Sequence, residues 1–115
     1  MTAERAKKLA EKGSNVSLTC FGHNVFEGDS RVLWIFNGHE IQENDINKKA
    51  INKFQRRKWE GRFSLLITNI PEKDVGNFSC VVRVRNGNRI LTAEDVIELS
   101  LHKKGESVYF YGNPL

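Results

Sequence analysis

Apolar residues recur at every second position along most of the chain, which is the pattern of half-buried β-strands. Four segments show this period, namely 15–20, 63–68, 77–85 and 89–101. The segment 32–36 is apolar at every position, so both of its faces should be covered, or one of them should meet a partner. The dipeptides Asn37-Gly38 and Asn86-Gly87 favour tight turns between strands. The pattern predicts an all-β protein.

Two segments depart from this alternation. Thr2 to Lys12 has good helix propensity, with Gly13 as a stop signal, but a sheet can override propensity at its edge. We favour an edge strand that begins at Leu9. From Ile41 to Gly61 the chain is polar and rich in Asn and Lys, which indicates loops and short edge strands, roughly from Ile51 to Arg57.

The alternation places three chemically distinctive residues on inward faces. Cys20 shares a face with Leu18, and Cys80 shares one with Phe78. Trp34 lies 14 residues after Cys20 and is also inward. The approach to the second cysteine reads Asp74-Val75-Gly76-Asn77-Phe78-Ser79-Cys80.

This heptapeptide resembles the immunoglobulin signature Asp-x-Gly-x-Tyr-x-Cys, and the order Cys, Trp, Cys is similar to that of immunoglobulin domains. The resemblance covers about Leu9 to Leu101 and implies a two-sheet antiparallel Greek-key sandwich. It also implies a disulfide between Cys20 and Cys80, with Trp34 packed against it. The remaining core positions that it implies are Asp74, Gly76 and Phe78.

Each of these three positions has an expected role. We expect Asp74 to pair with an arginine, either Arg57 or Arg62. Gly76 should relieve backbone strain where the chain turns into a strand. Phe78 occupies the family's tyrosine position, so it should keep the packing and lose the hydroxyl's hydrogen bond.

The subset of the family is predicted to be variable-type, with the intermediate set left open. Trp34 to Ile41 looks like the Trp-x-x-Asn-Gly-x-x-Leu of intermediate-set domains, whereas the long hairpin from Cys80 to Leu101 looks variable-type. Asp95–Leu101 is similar to the last strand of butyrophilin-related costimulatory ligands, and Arg56–Leu65 resembles part of the first domain of the helper T-cell coreceptor. The expected domain is 9–103, with 1–8 as an N-terminal extension and 104–115 as a C-terminal tail.

No arrangement of residues predicts catalysis, a metal site or a cofactor. His23, His39 and His102 lack ligand spacing, and no nucleophile has supporting context. The net charge of +4 favours acidic partners such as an acidic glycan, but no nucleic-acid-binding module accompanies it. We therefore expect a non-enzymatic recognition domain.

The predicted binding surface is the outward side of two neighbouring strands. If Trp34 and Cys80 point inward, then an apolar centre and an arginine rim point outward, which is the usual anatomy of a protein interface. The residues are Leu33, Ile35, Val81, Arg83 and Arg85. The alternative is that a crossing loop or an extra short strand covers them.

A basic cluster is the second candidate surface. It consists of Lys48, Lys49, Lys53, Arg56, Arg57 and Lys58. It could dock an acidic ligand or glycosaminoglycan, or it could be a solvated edge strand that is charged to prevent edge-to-edge pairing.

Two Asn-x-Ser sequons, at Asn15 and Asn77, predict N-glycosylation because both asparagines face outward. Met1 to Arg5 lacks the apolar stretch of a secretory signal. We therefore interpret Met1 as the start of an expressed segment from which the natural signal was removed. A disulfide would imply an extracellular setting, either as the ectodomain of a single-pass membrane protein anchored beyond Leu115 or as a secreted protein.

Three functional hypotheses follow. The first is an immune receptor or ligand ectodomain that binds a protein on another cell. The second is a homophilic adhesion module, which would form a homodimer. The third is a secreted or viral decoy that binds a host ligand.

Overall fold

The computed structural model describes residues 1–23, 25, 30–55 and 60–102. Nine strands and one 3₁₀ turn lie within this part of the chain. They are β1 (Thr2–Ala3), β2 (Lys7–Glu11), β3 (Val16–His23), β4 (Ser30–Phe36), β5 (His39–Glu40), β6 (Lys48–Gln55), β7 (Glu60–Ile67), the 3₁₀ turn Glu72–Asp74, β8 (Gly76–Asn86) and β9 (Arg89–His102).

The strands form two sheets that pack face to face. The back sheet has the order β1-β3-β7-β6, and the front sheet has the order β2-β9-β8-β4-β5. Every pair is antiparallel except β2 with β9. The chain changes sheet between β1 and β2, between β2 and β3, between β3 and β4, between β5 and β6, and between β7 and β8. This confirms the predicted all-β sandwich, including strands at all five of the apolar segments.

The N-terminal segment is extended and belongs to both sheets. Thr2 and Ala3 pair with β3, and Lys7 to Glu11 pair in parallel with β9. The prediction of a strand over a helix is confirmed, although the strand starts at Lys7 and not at Leu9. Four of the residues predicted to form an N-terminal extension, Thr2, Ala3, Lys7 and Lys8, are thus paired in the sheets, and local propensity could not reveal these pairings.

The front sheet ends at the two-residue strand β5. No strand lies between Glu40 and Lys48; Ile41 donates its N–H to the carbonyl of Trp34 at 2.8 Å, and the chain then turns at Gln42 to Asp45. The sheet therefore carries one short strand beyond β4 before the chain crosses to the back sheet.

A disulfide between Cys20 in β3 and Cys80 in β8 joins the two sheets, with their Cα atoms 6.6 Å apart. The two cysteines are 60 residues apart in the sequence. Closing a loop of this length in the unfolded chain stabilises the folded state by about 4 kcal/mol in the chain-entropy model. Trp34 lies opposite Cys80 in the register and belongs to the same buried cluster. The predicted inward positions of all three residues are confirmed.

Phe78 and Gly76 have the environments that the signature predicts. Phe78 is fully buried and stacks on Phe36, with 4.4 Å between ring centroids. Gly76 has a φ of +147°, and a Cβ there would lie 2.6 Å from Oδ1 of Asn37. Both the backbone and its neighbour therefore require glycine at this corner.

The partner of Asp74 is a lysine. Lys48 Nζ lies 3.2 Å from Asp74 Oδ1, both side chains are more than nine-tenths buried, and Asn47 donates to Asp74 Oδ2 at 2.9 Å. The expectation of an arginine partner is wrong for Arg62, which is exposed on the outward side of β7. Arg57 lies outside the described residues. The pair ties the start of β6 to the turn before β8.

Removing Lys48 tests the strength of this tie. Lys48→Met leaves a buried carboxylate without its cation, so we expect the free energy of unfolding to fall by about 3 kcal/mol or more in urea denaturation. The matched control is Lys49→Met on the same strand. Because the Lys49 side chain is exposed, this change should alter the free energy of unfolding by no more than about 0.5 kcal/mol. Equal losses in the two variants would contradict a stabilising role for the ion pair.

Asp95 holds the N-terminal strand against the front sheet. Its Oδ2 accepts the N–H of Ala3 at 2.7 Å, and its Oδ1 accepts the N–H of Val96 at 2.9 Å. These two backbone hydrogen bonds hold the pKa of the Asp95 carboxyl below its ordinary value of 3.8. The carboxylate form is therefore the one that fastens β1.

Acid should weaken this attachment. Because the pKa of Asp95 is lower in the folded chain than in the unfolded chain, its contribution is complete above 3.8 and is lost as the pH falls through the lowered value. We expect the stability difference between the wild type and Asp95→Asn to narrow between about pH 5 and about pH 2 in thermal unfolding. Glu94→Gln, at an exposed neighbour, should show no such narrowing; a constant difference for Asp95→Asn would refute the assignment.

Candidate functional site

The outward side of the front sheet, called the front face below, is built by the residues that alternate with the core positions of β4, β8 and β9. Leu33 lies opposite Val81, Ile35 lies opposite Ser79, and Arg31 lies opposite Arg83. Arg85 faces Ile90 at the end of the β8–β9 hairpin. The five residues predicted for binding therefore share one face, and their role in binding stays a prediction.

Burial divides the predicted residues into two groups. Leu33 and Val81 are only 8% and 3% exposed, and Ile35 is half-buried, so they support the face and offer little area to a partner. Arg83 and Arg85 are exposed. The expected apolar centre is thus largely covered within the folded chain.

Among β4, β8 and β9, the exposed apolar side chains of the front face come from β9. Ile90 is 66% exposed and Val96 is 41% exposed, and both alternate with the inward Ile97. Leu91 is also exposed, on the other side of the same hairpin end. These residues are not among those predicted from the sequence, since only the inward positions of β9 entered that prediction. The same alternation carried the signal, since Ile90 and Val96 stand at outward positions where polar residues are expected.

Ile90 and Val96 lie six residues apart on β9, with the exposed Thr92 and Glu94 between them on the same face, and arginines lie on the neighbouring strands. Arg31 and Arg83 lie directly opposite each other on neighbouring strands, an arrangement of like charges that destabilises a sheet, and Arg85 follows two residues along β8. Arg31 contacts Glu40 at 3.6 Å. Within the described part of the chain neither Arg83 nor Arg85 has an ion-pair partner, so their charge is available to a ligand.

A groove of about 500 Å³ borders the face at its β5 edge. Leu33 forms part of its lining, and Arg31 and Glu40 lie beside it. A side chain from a partner could therefore enter next to the Arg31–Glu40 pair.

The predicted basic cluster does not form one described surface. Lys48 is buried against Asp74, whereas Lys49 and Lys53 are exposed on the outward side of the back sheet. Arg56, Arg57 and Lys58 lie outside the described residues.

Both sequon asparagines are exposed. Asn15 lies just before β3, and its Oδ1 accepts the N–H of Asn69 at 3.0 Å. Asn77 lies on the front face opposite Glu98. Ile90 lies near the turn of the β8–β9 hairpin, whereas Asn77 lies at its opposite end, where β9 also pairs with β2. A glycan at Asn77 would therefore lie away from Ile90.

Two features are absent from residues 1–23, 25, 30–55 and 60–102. No helix there is both long and apolar enough to cross a membrane. No group of three or more His, Cys, Asp or Glu side chains there is placed to hold a metal ion.

The burial of Leu33 makes it a residue of the fold as well as of the face. Leu33→Asp places a carboxylate in a covered apolar site, so we expect the free energy of unfolding to fall by about 3 kcal/mol or more. Val96→Asp on the same face should cost no more than about 1 kcal/mol, because that side chain already meets water. Chemical denaturation of the two variants measures the contrast, and similar costs would show that Leu33 is not covered.

Comparison with known proteins identifies the domain type. Residues 8–93 match a family model described as an immunoglobulin domain. Domains of this family are generally non-enzymatic binding modules that serve recognition or adhesion. No curated protein matches the sequence significantly. The disulfide between the sheets, the tryptophan beside it and a family match over most of the chain together show that this chain belongs to the immunoglobulin domain family.

Proposed function

We propose that this chain is an extracellular recognition domain of a cell-surface immune receptor or ligand, which binds a protein partner through the front face. The observation that carries the proposal is that β9 presents exposed apolar side chains on the same face where β8 presents arginines with no ion-pair partner among the described residues. Ile90 and Val96 supply the apolar contact, and Arg83 and Arg85 supply the charge. Aromatic, apolar and arginine side chains that pack in one patch are typical anchors of protein interfaces.

The chemistry of the face indicates what the partner presents. The opposed Arg31 and Arg83 repel each other, and a partner carboxylate between them would relieve that repulsion. The exposed Ile90 at the hairpin end would fit an apolar depression in the partner. An acidic surface around an apolar pocket is therefore the complementary form.

The topology of the front sheet bears on the subset of the family. A variable-type domain adds two strands beyond the position of β4, and a constant-type domain adds none. This chain adds only β5 before it crosses to β6. That observation favours the intermediate set over the variable type, and the likeness to butyrophilin-related ligands and to the helper T-cell coreceptor remains part of the proposal.

An extracellular location is supported by the disulfide and by the exposed sequons. Disulfides persist in oxidising compartments, and glycosylation requires an accessible asparagine. We propose that Asn15 and Asn77 carry glycans, which would leave the Ile90 end of the front face open. Attachment to a membrane would come through an anchor outside this chain.

A pair of valine substitutions tests the front face. Val96 and Val75 are 41% and 40% exposed, but only Val96 lies on the front face, since Val75 precedes β8. We expect Val96→Asp to abolish binding of a multimerised domain to cells of a receptor expression library, because it places a charge in the apolar contact. Val75→Asp, the same change at equal exposure, should leave binding intact.

Two results would contradict the proposal. One is binding that survives Val96→Asp, and the other is equal loss with Val75→Asp. Sedimentation at micromolar concentration distinguishes a different protein partner from a second copy of this chain. A monomer at every concentration supports a different protein as the partner. A concentration-dependent dimer that is lost in Val96→Asp would instead support homophilic adhesion.

A further inference from the structure

We propose that the outward side of the back sheet is a second binding site, which takes an anionic saccharide. This site lies on the opposite side of the sandwich from the front face and does not depend on the proposed function. It is a groove of about 470 Å³, within the range of about 300–1,000 Å³ that is typical of small-ligand sites.

Three strands place an aromatic ring and two cations in one row across the groove. The register pairs Phe21 of β3 with Arg62 of β7, and Arg62 with Lys53 of β6. All three side chains are exposed and point away from the core, because each alternates with an inward residue. Thr2 pairs with Phe21 on the other side and closes one end of the row.

The positive charge of this row is uncompensated. In the part of the chain that the structure describes, neither Lys53 nor Arg62 has an ion-pair or hydrogen-bond partner. Lys49 lies four residues before Lys53 on the same side of β6 and extends the positive charge along the edge of the sheet. Among the described residues that line the groove, Glu60 is the one carboxylate. Arginine and lysine side chains bind carboxylate and sulfate groups through charge-assisted hydrogen bonds.

Phe21 distinguishes a saccharide from a simple anion. It is 38% exposed and belongs to neither buried core cluster, so the packing of the core does not account for an aromatic residue beside Arg62. An aromatic ring carries partial negative charge on its face, which attracts the C–H groups on the apolar side of a pyranose ring. The row thus offers a stacking surface for a sugar ring next to cations for its acidic substituents.

Two sources share this chemistry: sulfated glycosaminoglycan chains and sialylated glycans. We would measure binding of a heparin hexasaccharide and of sialyllactose by isothermal titration calorimetry at low salt, using the whole chain. Binding of either one supports the site and identifies the source. Absence of binding by both would overturn the proposal.

Matched variants locate the binding. Lys53→Glu should lower the affinity about tenfold or more, whereas Lys73→Glu, which makes the same charge change on the exposed 3₁₀ turn, should lower it far less. Glu60→Gln should raise the affinity, because it removes the one repelling carboxylate. Equal losses of affinity in the two lysine variants would show that binding depends only on the net charge of the protein, and would overturn the proposed site.

The role of the ring requires a separate variant. Phe21→Leu keeps an apolar side chain but removes the aromatic face, so saccharide affinity should fall about threefold or more, while affinity for polyphosphate should stay unchanged. Unchanged saccharide affinity would contradict stacking on Phe21, and preference for polyphosphate over both saccharides would replace the saccharide with a general polyanion. Val96→Asp should bind saccharide normally, which separates failure of this site from failure of the front face.

Discussion

The disulfide between Cys20 and Cys80 is the constraint on which the other features depend. It connects one residue of β3 to one residue of β8 across the core, and so determines which alternate positions of these strands face inward. Since side chains alternate along a strand, a shift of one residue would exchange the buried and exposed faces of a whole strand. Trp34 lies opposite Cys80, and the pairing of β4 with β8 follows from that contact.

This fixed register leaves the sandwich with two outward faces of different chemistry. The front face combines exposed Ile90 and Val96 with arginines that have no ion-pair partner in the described part of the chain, a composition suited to a protein surface. The back sheet presents Phe21, Arg62 and Lys53 in one row, a composition suited to an acidic sugar. Because the core separates the two faces, each could be occupied without obstructing the other.

Strands with strict alternation were predictable from the sequence, since burial on one side imposes a period of two. The same rule identified Cys20, Trp34 and Cys80 as inward residues and brought Arg83 and Arg85 to one face. It could not show how far Leu33 and Val81 are covered, because exposure on a sheet depends on neighbouring long side chains from other strands. It also left Ile90 and Val96 unnoticed as outward residues.

Contacts between distant segments were the least predictable. Lys48 pairs with Asp74 because the chain from β5 crosses to the back sheet and places the start of β6 beside the 3₁₀ turn. Lysine and arginine are equally plausible in sequence, and only the three-dimensional path decides between them. The strand at Thr2–Ala3 was missed for the same reason, since its hydrogen bonds come from β3 and from Asp95.

Cross-strand proton contacts measured by NMR test the register most directly. In isotopically labelled, oxidised protein, the account predicts contacts between Leu33 and Val81, between Phe21 and Arg62, and between Arg62 and Lys53. These contacts would place Leu33 and Val81 on the outward side of the front sheet and Phe21, Arg62 and Lys53 on the outward side of the back sheet. Contacts displaced by one residue along any of these strands would turn those side chains towards the core and contradict both binding faces.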